Sequence, residues 1–79
     1  MVIKILGTGC AKCKKLEDNV LTALAELSIE AVVEKVTDLN AIMDYGVMMT
    51  PALVIDEKVV SSGKLLSVAD VKAMMNKGV

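Results

Sequence analysis

Residues 2–13 have the sequence VIKILGTGCAKC, in which a strand pattern changes to a helix pattern at a cysteine. Val2 to Leu6 is apolar and largely β-branched and ends at a glycine, which predicts a strand inside a sheet. Beyond Cys10, apolar side chains recur at helical spacing over about four to five turns. These positions are Cys13, Leu16, Val20, Leu24 and Leu27. The stretch therefore predicts a strand followed by an amphipathic helix, with Cys10 at the junction.

The rest of the chain continues this alternation of strands and helices. We expect strands over residues 31–36, 52–55 and 59–62, and helices over residues 39–45 and from 68 onward. Asp38 and Ser67 favour the N-cap positions of the later helices, and Asp70 adds a capping box to Ser67. The order β-α-β-α-β-β-α predicts a single α/β domain over residues 1–79, with a four-stranded mixed sheet and helices on both faces.

The amino-acid composition argues against some kinds of binding partner. The chain has 79 residues, of which 54% are hydrophobic, and Tyr45 is its only aromatic residue. A net charge of −1, without aromatic stacking platforms or a basic stripe, argues against nucleic-acid binding. The apolar run before Gly7 is too short for a signal sequence or a membrane span. We therefore expect a cytoplasmic monomer that binds neither nucleic acid nor a membrane.

Cys10 and Cys13, the two cysteines of the chain, form a C-x-x-C pair. A disulfide across so short a loop constrains the unfolded chain little, and a cytoplasmic pair of this kind is more often catalytic or metal-binding than structural. The helix N-terminus favours a thiolate at Cys10, and Lys12, Lys14 and Lys15 add positive charge. Because one helical turn separates the sulfurs, Cys10 can attack a substrate disulfide and Cys13 can resolve the mixed disulfide.

A second stretch, residues 45–55 with the sequence YGVMMTPALVI, points to a family. With the C-x-x-C pair, the hairpin and the glycine at position 63, it resembles the thioredoxin and glutaredoxin superfamily, above all its small archaeal and bacterial redox-active disulfide proteins. The resemblance covers nearly the whole chain and implies a thioredoxin-like fold. It also implies a cis-proline at Pro51 beside the active disulfide, and a Thr50 backbone that pairs with an extended substrate.

The same resemblance implies a thiol–disulfide oxidoreductase with Cys10 and Cys13 as the catalytic pair and Thr50 and Pro51 as the substrate-binding residues. Its substrates would be disulfide-containing proteins, and its electron donor a disulfide reductase or a low-molecular-weight thiol, with no cofactor or metal. The motif lacks the aromatic residues of thioredoxin and glutaredoxin, and no acid precedes it in the first strand. The preferred electron donor is therefore open.

A metal-binding interpretation stays open beside the redox one. Gly7, Thr8 and Gly9 followed by a C-x-x-C pair also resemble heavy-metal-associated domains, and thiolates at this spacing suit Cu(I) or Zn(II). Those domains have the order β-α-β-β-α-β and usually carry Met where this chain has Thr8, which favours the redox interpretation. A third hypothesis is a scaffold domain with a vestigial cysteine pair, since a fold alone does not establish an activity.

Lys4, Met48 and Met49 have no assigned role in this scheme. Lys4 lies inside an apolar strand, and we expect its stem to carry the ammonium group to the end of the sheet. Met48 and Met49 lie beside Thr50 and are candidates for an apolar rim of the substrate site, although Met is more often a core residue.

Overall fold

The computed structural model describes residues 1–9 and 11–78, and side chains as far as residue 75. The strands are β1 Val2–Leu6, β2 Val32–Val36, β3 Ala52–Ile55 and β4 Lys58–Ser62, and the helices are α1 Ala11–Leu27, α2 Leu39–Asp44 and α3 Val68–Gly78. This is the element order that the sequence predicts, and the α/β class is confirmed. Cys10 and Val79 lie outside the described residues.

The strands form one mixed sheet in the order β2-β1-β3-β4. β1 runs parallel to β2 and antiparallel to β3, and β3 pairs antiparallel with β4. Leu6 pairs with both Val36 and Ala52, so the ends of β1 and β2 meet the start of β3. We call this end of the sheet, defined by Leu6, Val36 and Ala52, the carboxyl end. The cysteine motif follows β1 directly and therefore begins there.

The side chains of β1 belong to two hydrophobic cores, because successive residues of a strand point to opposite faces of the sheet. Ile3 and Ile5 belong to the larger core, on the face covered by α1 and α3. Its other buried members are Leu16, Val20, Ala23, Leu24, Leu53, Ile55, Leu66, Val71 and Met75. Leu6 belongs to the smaller core, with Ile42 of α2 and with Val47, Ala52 and Val54. Helices cover both faces of the sheet, as the sequence predicts.

The predicted N-caps of α2 and α3 are present. The Asp38 side chain accepts a hydrogen bond from the Ala41 backbone N at 3.3 Å. Ser67 and Asp70 form a capping box, in which Ser67 Oγ accepts from Asp70 N at 3.2 Å and Asp70 Oδ2 accepts from Ser67 N at 3.3 Å. These bonds satisfy amide groups that the first turn of a helix leaves unpaired. Among the helices of the described chain, none has the length and apolar character needed to cross a membrane.

The β3–β4 hairpin turns through Asp56 and Glu57, whose φ angles of 48° and 69° are those of a type I′ turn. Asp56 also joins the hairpin to the start of β1. Its backbone N donates to Val2 O, and its Oδ1 accepts from Val2 N, each at 2.8 Å. The turn therefore closes the end of the sheet opposite the carboxyl end.

Candidate active site

Cys13 lies in the first turn of α1, and only 6% of its surface is exposed. The residue is disulfide-bonded. Cys10, the other cysteine of the chain, directly precedes Ala11, where α1 begins, and lies outside the described residues. The structure thus describes one of the two predicted redox residues, and that residue is buried at the start of the helix.

Gly7 provides the space that the sulfur of Cys13 occupies. A Cβ added to Gly7 would overlap Cys13 Sγ and would lie 3.1 Å from Cys13 Cβ, so no side chain fits there without a shift. Gly7 N donates to Val36 O at 2.9 Å, which extends the pairing of β1 with β2. The sheet therefore holds Gly7 against the sulfur. Gly9 has a different role, because its φ of +86° is one that residues with a Cβ rarely adopt.

The predicted substrate-binding residues lie next to this glycine. The Thr50–Pro51 peptide bond is cis, the configuration that the resemblance implies, and Pro51 is buried. The register of β1 with β3 brings Pro51 and Gly7 to the same end of the sheet. Thr50 is exposed, and its Cβ lies 3.9 Å from the position of a Cβ on Gly7. Cys13, Thr50 and Pro51 are therefore brought together around Gly7.

A pocket of about 180 Å³ opens beside Cys13. It is lined by Ile5, Gly7, Gly9, Cys13, Lys14, Lys35 and Thr37. Lys35 Nζ lies 3.5 Å from Oε1 of Glu17, a residue of the same helix as Cys13. The pocket, which we name the Cys13 pocket, is therefore lined by a buried cysteine and two lysines, one of which lies near a carboxylate.

A second pocket, of about 380 Å³, lies at the loop that leads into β3. It is lined by Thr8, Leu39, Ile42, Met43, Val47, Met48 and Thr50, and we name it the methionine groove. Met48 is 98% exposed, and its neighbour Met49 is 65% exposed. Exposed apolar surface of this kind next to a polar rim is typical of an interaction site. Met48 and Met49 therefore lie in solvent beside Thr50 rather than in the core.

Lys4 belongs to a polar cluster on the face of the sheet that carries α2. Its Nζ donates to Tyr45 Oη at 2.8 Å and to Glu57 Oε1 at 2.7 Å, and Tyr45 Oη donates to Glu57 Oε2 at 3.1 Å. The ammonium group also lies 5.6 Å from the centroid of the Tyr45 ring, within the range of a cation–π contact. The cluster joins β1, the end of α2 and the β3–β4 turn, so the stem of Lys4 extends toward the hairpin as expected.

The hydrogen bonds of this cluster favour the charged forms of its members. The bond from Lys4, with a smaller contribution from Tyr45, lowers the pKa of Glu57 below its ordinary value of 4.5. The bond to Glu57, again with a contribution from Tyr45, raises the pKa of Lys4 above its ordinary value of 10.5. Both shifts stabilise the ion pair over the pH range between those two ordinary values.

The sequence predicts site roles for Cys10, Cys13, Thr50 and Pro51, whereas Gly7 enters only as the end of a strand and as part of the motif that resembles heavy-metal-associated domains. A glycine placed directly between a buried strand and a C-x-x-C motif is a signal that could have identified it, because only a residue without a Cβ leaves space for a side chain on the next element. Lys35 reaches the Cys13 pocket through the register of β1 with β2. That register is not evident from the sequence pattern, so Lys35 was missed as well.

Comparison with known proteins agrees with this arrangement. Residues 1–76 match the model of a family described as a thioredoxin domain. The chain is 44% identical over 72 residues to a thioredoxin of Methanocaldococcus jannaschii, an alignment that covers 91% of this chain and 83% of the relative. It is 36% identical over 76 residues to a thioredoxin of Methanothermobacter thermautotrophicus, covering 96% of this chain and 99% of the relative.

The chain therefore belongs to the thioredoxin domain family. The resemblance to the thioredoxin-like superfamily is confirmed. The helix α2 between β2 and β3, and the closing helix α3, are the elements that distinguish this fold from the β-α-β-β-α-β order of heavy-metal-associated domains.

Proposed function

We propose that the protein is a thiol–disulfide oxidoreductase that reduces disulfide bonds of other proteins through Cys10 and Cys13. The observation that carries this proposal is the position of Cys13, which is disulfide-bonded in the first turn of α1 and lies against Gly7, close to Thr50. Membership in a family with archaeal relatives named thioredoxin supports it.

In the proposed cycle, the Cys10 thiolate attacks one sulfur of the substrate disulfide and forms a mixed disulfide. The bond between the substrate sulfurs breaks, and the other sulfur leaves as a thiolate. Cys13 then attacks the sulfur of Cys10, which forms the Cys10–Cys13 disulfide and releases the remaining substrate thiol. An electron pair passes from the protein dithiol to the substrate, and the released thiolates take up protons. A disulfide reductase or a low-molecular-weight thiol then reduces the protein again.

The burial of Cys13 suits the resolving role. With 6% of its surface exposed, Cys13 is poorly accessible to a protein substrate but lies one helical turn from Cys10 in the chain. Its attack is therefore intramolecular, which raises its effective concentration. The first, intermolecular attack then falls to Cys10.

Thr50 and Pro51 are the proposed substrate guide. An extended peptide that adds its backbone to that of Thr50 would approach the C-x-x-C motif along the loop that enters β3. Met48, almost fully exposed on this loop, would then contact apolar side chains of the peptide. We further propose that the protein acts as a monomer in the cytoplasm, where a dithiol stays reduced.

Reduction of insulin by dithiothreitol, with and without the protein, tests the proposed function. We expect the wild-type protein to accelerate precipitation of the insulin B chain and Cys10→Ser to give no acceleration. Thr22→Ala, which changes an exposed threonine of α1 outside both pockets, is the matched control and should behave as the wild type. Full acceleration by a folded Cys10→Ser variant would overturn the proposal. Tight Cu(I) binding by the reduced protein, without insulin reduction, would instead select the metal-binding interpretation.

A further inference from the structure

The Cys13 pocket has no role in the proposed handling of protein substrates. Its lining includes Cys13 and also Gly9, the residue directly before Cys10. Thr50, which guides protein substrates in the proposal, lines the methionine groove and not this pocket. The two pockets therefore both border the loop between β1 and α1, and they have different linings, one that includes two lysines and one that is largely apolar.

The charges at the Cys13 pocket favour an anion. Lys14 and Lys35, which carry ammonium groups, are among the lining residues, as is Thr37, which carries a hydroxyl group. The nearby carboxylate is that of Glu17, at 3.5 Å from Lys35 Nζ. An ammonium group has three donors, so Lys35 can donate to a ligand carboxylate as well as to Glu17. The lysines also outnumber this carboxylate, so the pocket can accept a ligand carboxylate beside Glu17.

The size of the pocket favours a small ligand. Its volume of about 180 Å³ lies below the range of about 300–1,000 Å³ that is typical of sites for drug-sized molecules. A folded protein segment with its side chains would not enter it. One arm of a low-molecular-weight disulfide, a few carbon atoms ending in a carboxylate, matches both the volume and the charge.

We propose that the Cys13 pocket binds the carboxylate-bearing arm of a low-molecular-weight disulfide, which is a second class of substrate. This inference rests on the proposed function, because it uses the same dithiol. The ligand carboxylate lies between Lys14 and Lys35. The Cys10 thiolate attacks one ligand sulfur, the bond between the ligand sulfurs breaks, and the first ligand thiol leaves. Cys13 attacks Cys10 and releases the second thiol, so the electron pair of the protein dithiol ends on the two ligand thiols.

Single-turnover reduction of three disulfides of similar length tests the charge preference. The reduced protein, freed of reductant, is mixed with dithiodipropionate (anionic), hydroxyethyl disulfide (neutral) or cystamine (cationic), and loss of protein thiols is followed by alkylation and mass spectrometry. For the protein, the rate of reduction of the anionic disulfide is divided by that of the neutral disulfide. This ratio is then divided by the same ratio measured with dithiothreitol as the reductant, which removes differences in the intrinsic reactivity of the disulfides. We expect this normalised ratio to exceed one. The corresponding normalised ratio of the cationic to the neutral disulfide should lie below one.

Charge variants test whether the preference for anionic disulfides arises in the Cys13 pocket. Lys35→Gln should lower the normalised ratio by about two- to five-fold, the effect of one exposed ion pair. Lys58→Gln removes the same charge at the opposite end of the sheet and should leave the ratio unchanged. Glu17→Gln removes the competing carboxylate and should raise the ratio. Glu26→Gln, which removes a carboxylate of the same helix that pairs with Lys72, is its matched control.

Binding of an unreactive analogue gives a readout that does not depend on the cysteines' chemistry. Suberate has the chain length of dithiodipropionate without its sulfurs, and hexanediol is the corresponding analogue of hydroxyethyl disulfide. In nuclear magnetic resonance titrations of the oxidised protein, we expect saturable shifts of the Gly7, Gly9 and Thr37 amides with suberate but not with hexanediol. Lys35→Gln should weaken the suberate titration.

The outcomes separate this inference from the proposed function. A normalised ratio near one would overturn the inference, as would an equal fall of this ratio in Lys35→Gln and Lys58→Gln. If the protein still reduces insulin in either case, the proposed function stays intact. Failure to reduce insulin and all three disulfides would overturn both. A ratio above one that falls only in Lys35→Gln, together with suberate shifts at the pocket, would support the inference.

Discussion

The sulfur of Cys13 lies so close to the α-carbon of Gly7 that a Cβ at position 7 would overlap it. This contact joins the end of the central strand to the first turn of α1. Gly7 is fixed in turn by its hydrogen bond to Val36 O, at 2.9 Å. The position of the Cys13 sulfur is therefore set by the sheet as well as by its own helix.

Replacement of Gly7 by Ala tests this contact. The added methyl group must displace Cys13 or the strand, so we expect the oxidised protein to lose about 1–3 kcal/mol of unfolding free energy, the usual cost of overpacking. Insulin reduction should also slow, because Cys13 is moved from its place beside Thr50. Urea denaturation and the insulin assay measure the two effects. Thr22→Ala is the control, and a Gly7→Ala variant as stable and active as Thr22→Ala would contradict the packing argument.

The Lys4–Glu57 pair predicts a pH dependence of stability. The pKa of Glu57 is lowered in the folded state, so its ionised carboxylate stabilises the fold. This contribution to stability is fully present above pH 4.5 and is lost as the pH falls through the lower, folded-state pKa. The pKa of Lys4 is raised in the folded state, so its contribution to stability is fully present below pH 10.5. It is lost as the pH rises through the higher, folded-state pKa. In urea denaturation, the stability difference between wild type and Glu57→Gln should shrink as the pH falls below 4.5.

Glu30→Gln, which removes a carboxylate at an exposed position, is the control for that titration. Its stability difference from the wild type should stay small and nearly constant over the same pH range. A Glu57→Gln variant whose deficit stays constant, or grows, in acid would show that the Lys4 contact does not stabilise the ionised carboxylate.

Met48→Ser tests the proposed apolar contact with protein substrates. Since Met48 is 98% exposed, the change should not alter stability. We expect the KM for insulin to rise about five-fold, the equivalent of about 1 kcal/mol of lost apolar contact, with little change in kcat. The rate with hydroxyethyl disulfide should be unchanged, because so small a substrate does not reach along the loop. Leu21→Ser, at a half-exposed apolar position on α1, is the control, and an equal rise in KM there would argue against a specific groove.

The sequence predicts the elements because each carries a local signal. The helical spacing of apolar residues in α1 and the capping side chains of Asp38 and Ser67 lie within a few residues of the structure they specify. Contacts between distant residues carry no such signal. Lys4 and Glu57 are 53 positions apart and meet only once the hairpin closes beside β1. The contact of Gly7 with Cys13 likewise depends on how α1 packs on β1, which periodicity does not determine.

Trapping of the mixed disulfide tests the central claim most directly. Cys13→Ser leaves Cys10 able to attack a substrate disulfide but removes the thiol that resolves the product. Mixed with a disulfide-containing protein and analysed by non-reducing electrophoresis and intact-mass spectrometry, Cys13→Ser should accumulate a covalent complex that reductant dissolves, and Cys10→Ser should accumulate none. A covalent complex formed by Cys10→Ser and not by Cys13→Ser would contradict the assignment of Cys10 as nucleophile and Cys13 as resolving thiol.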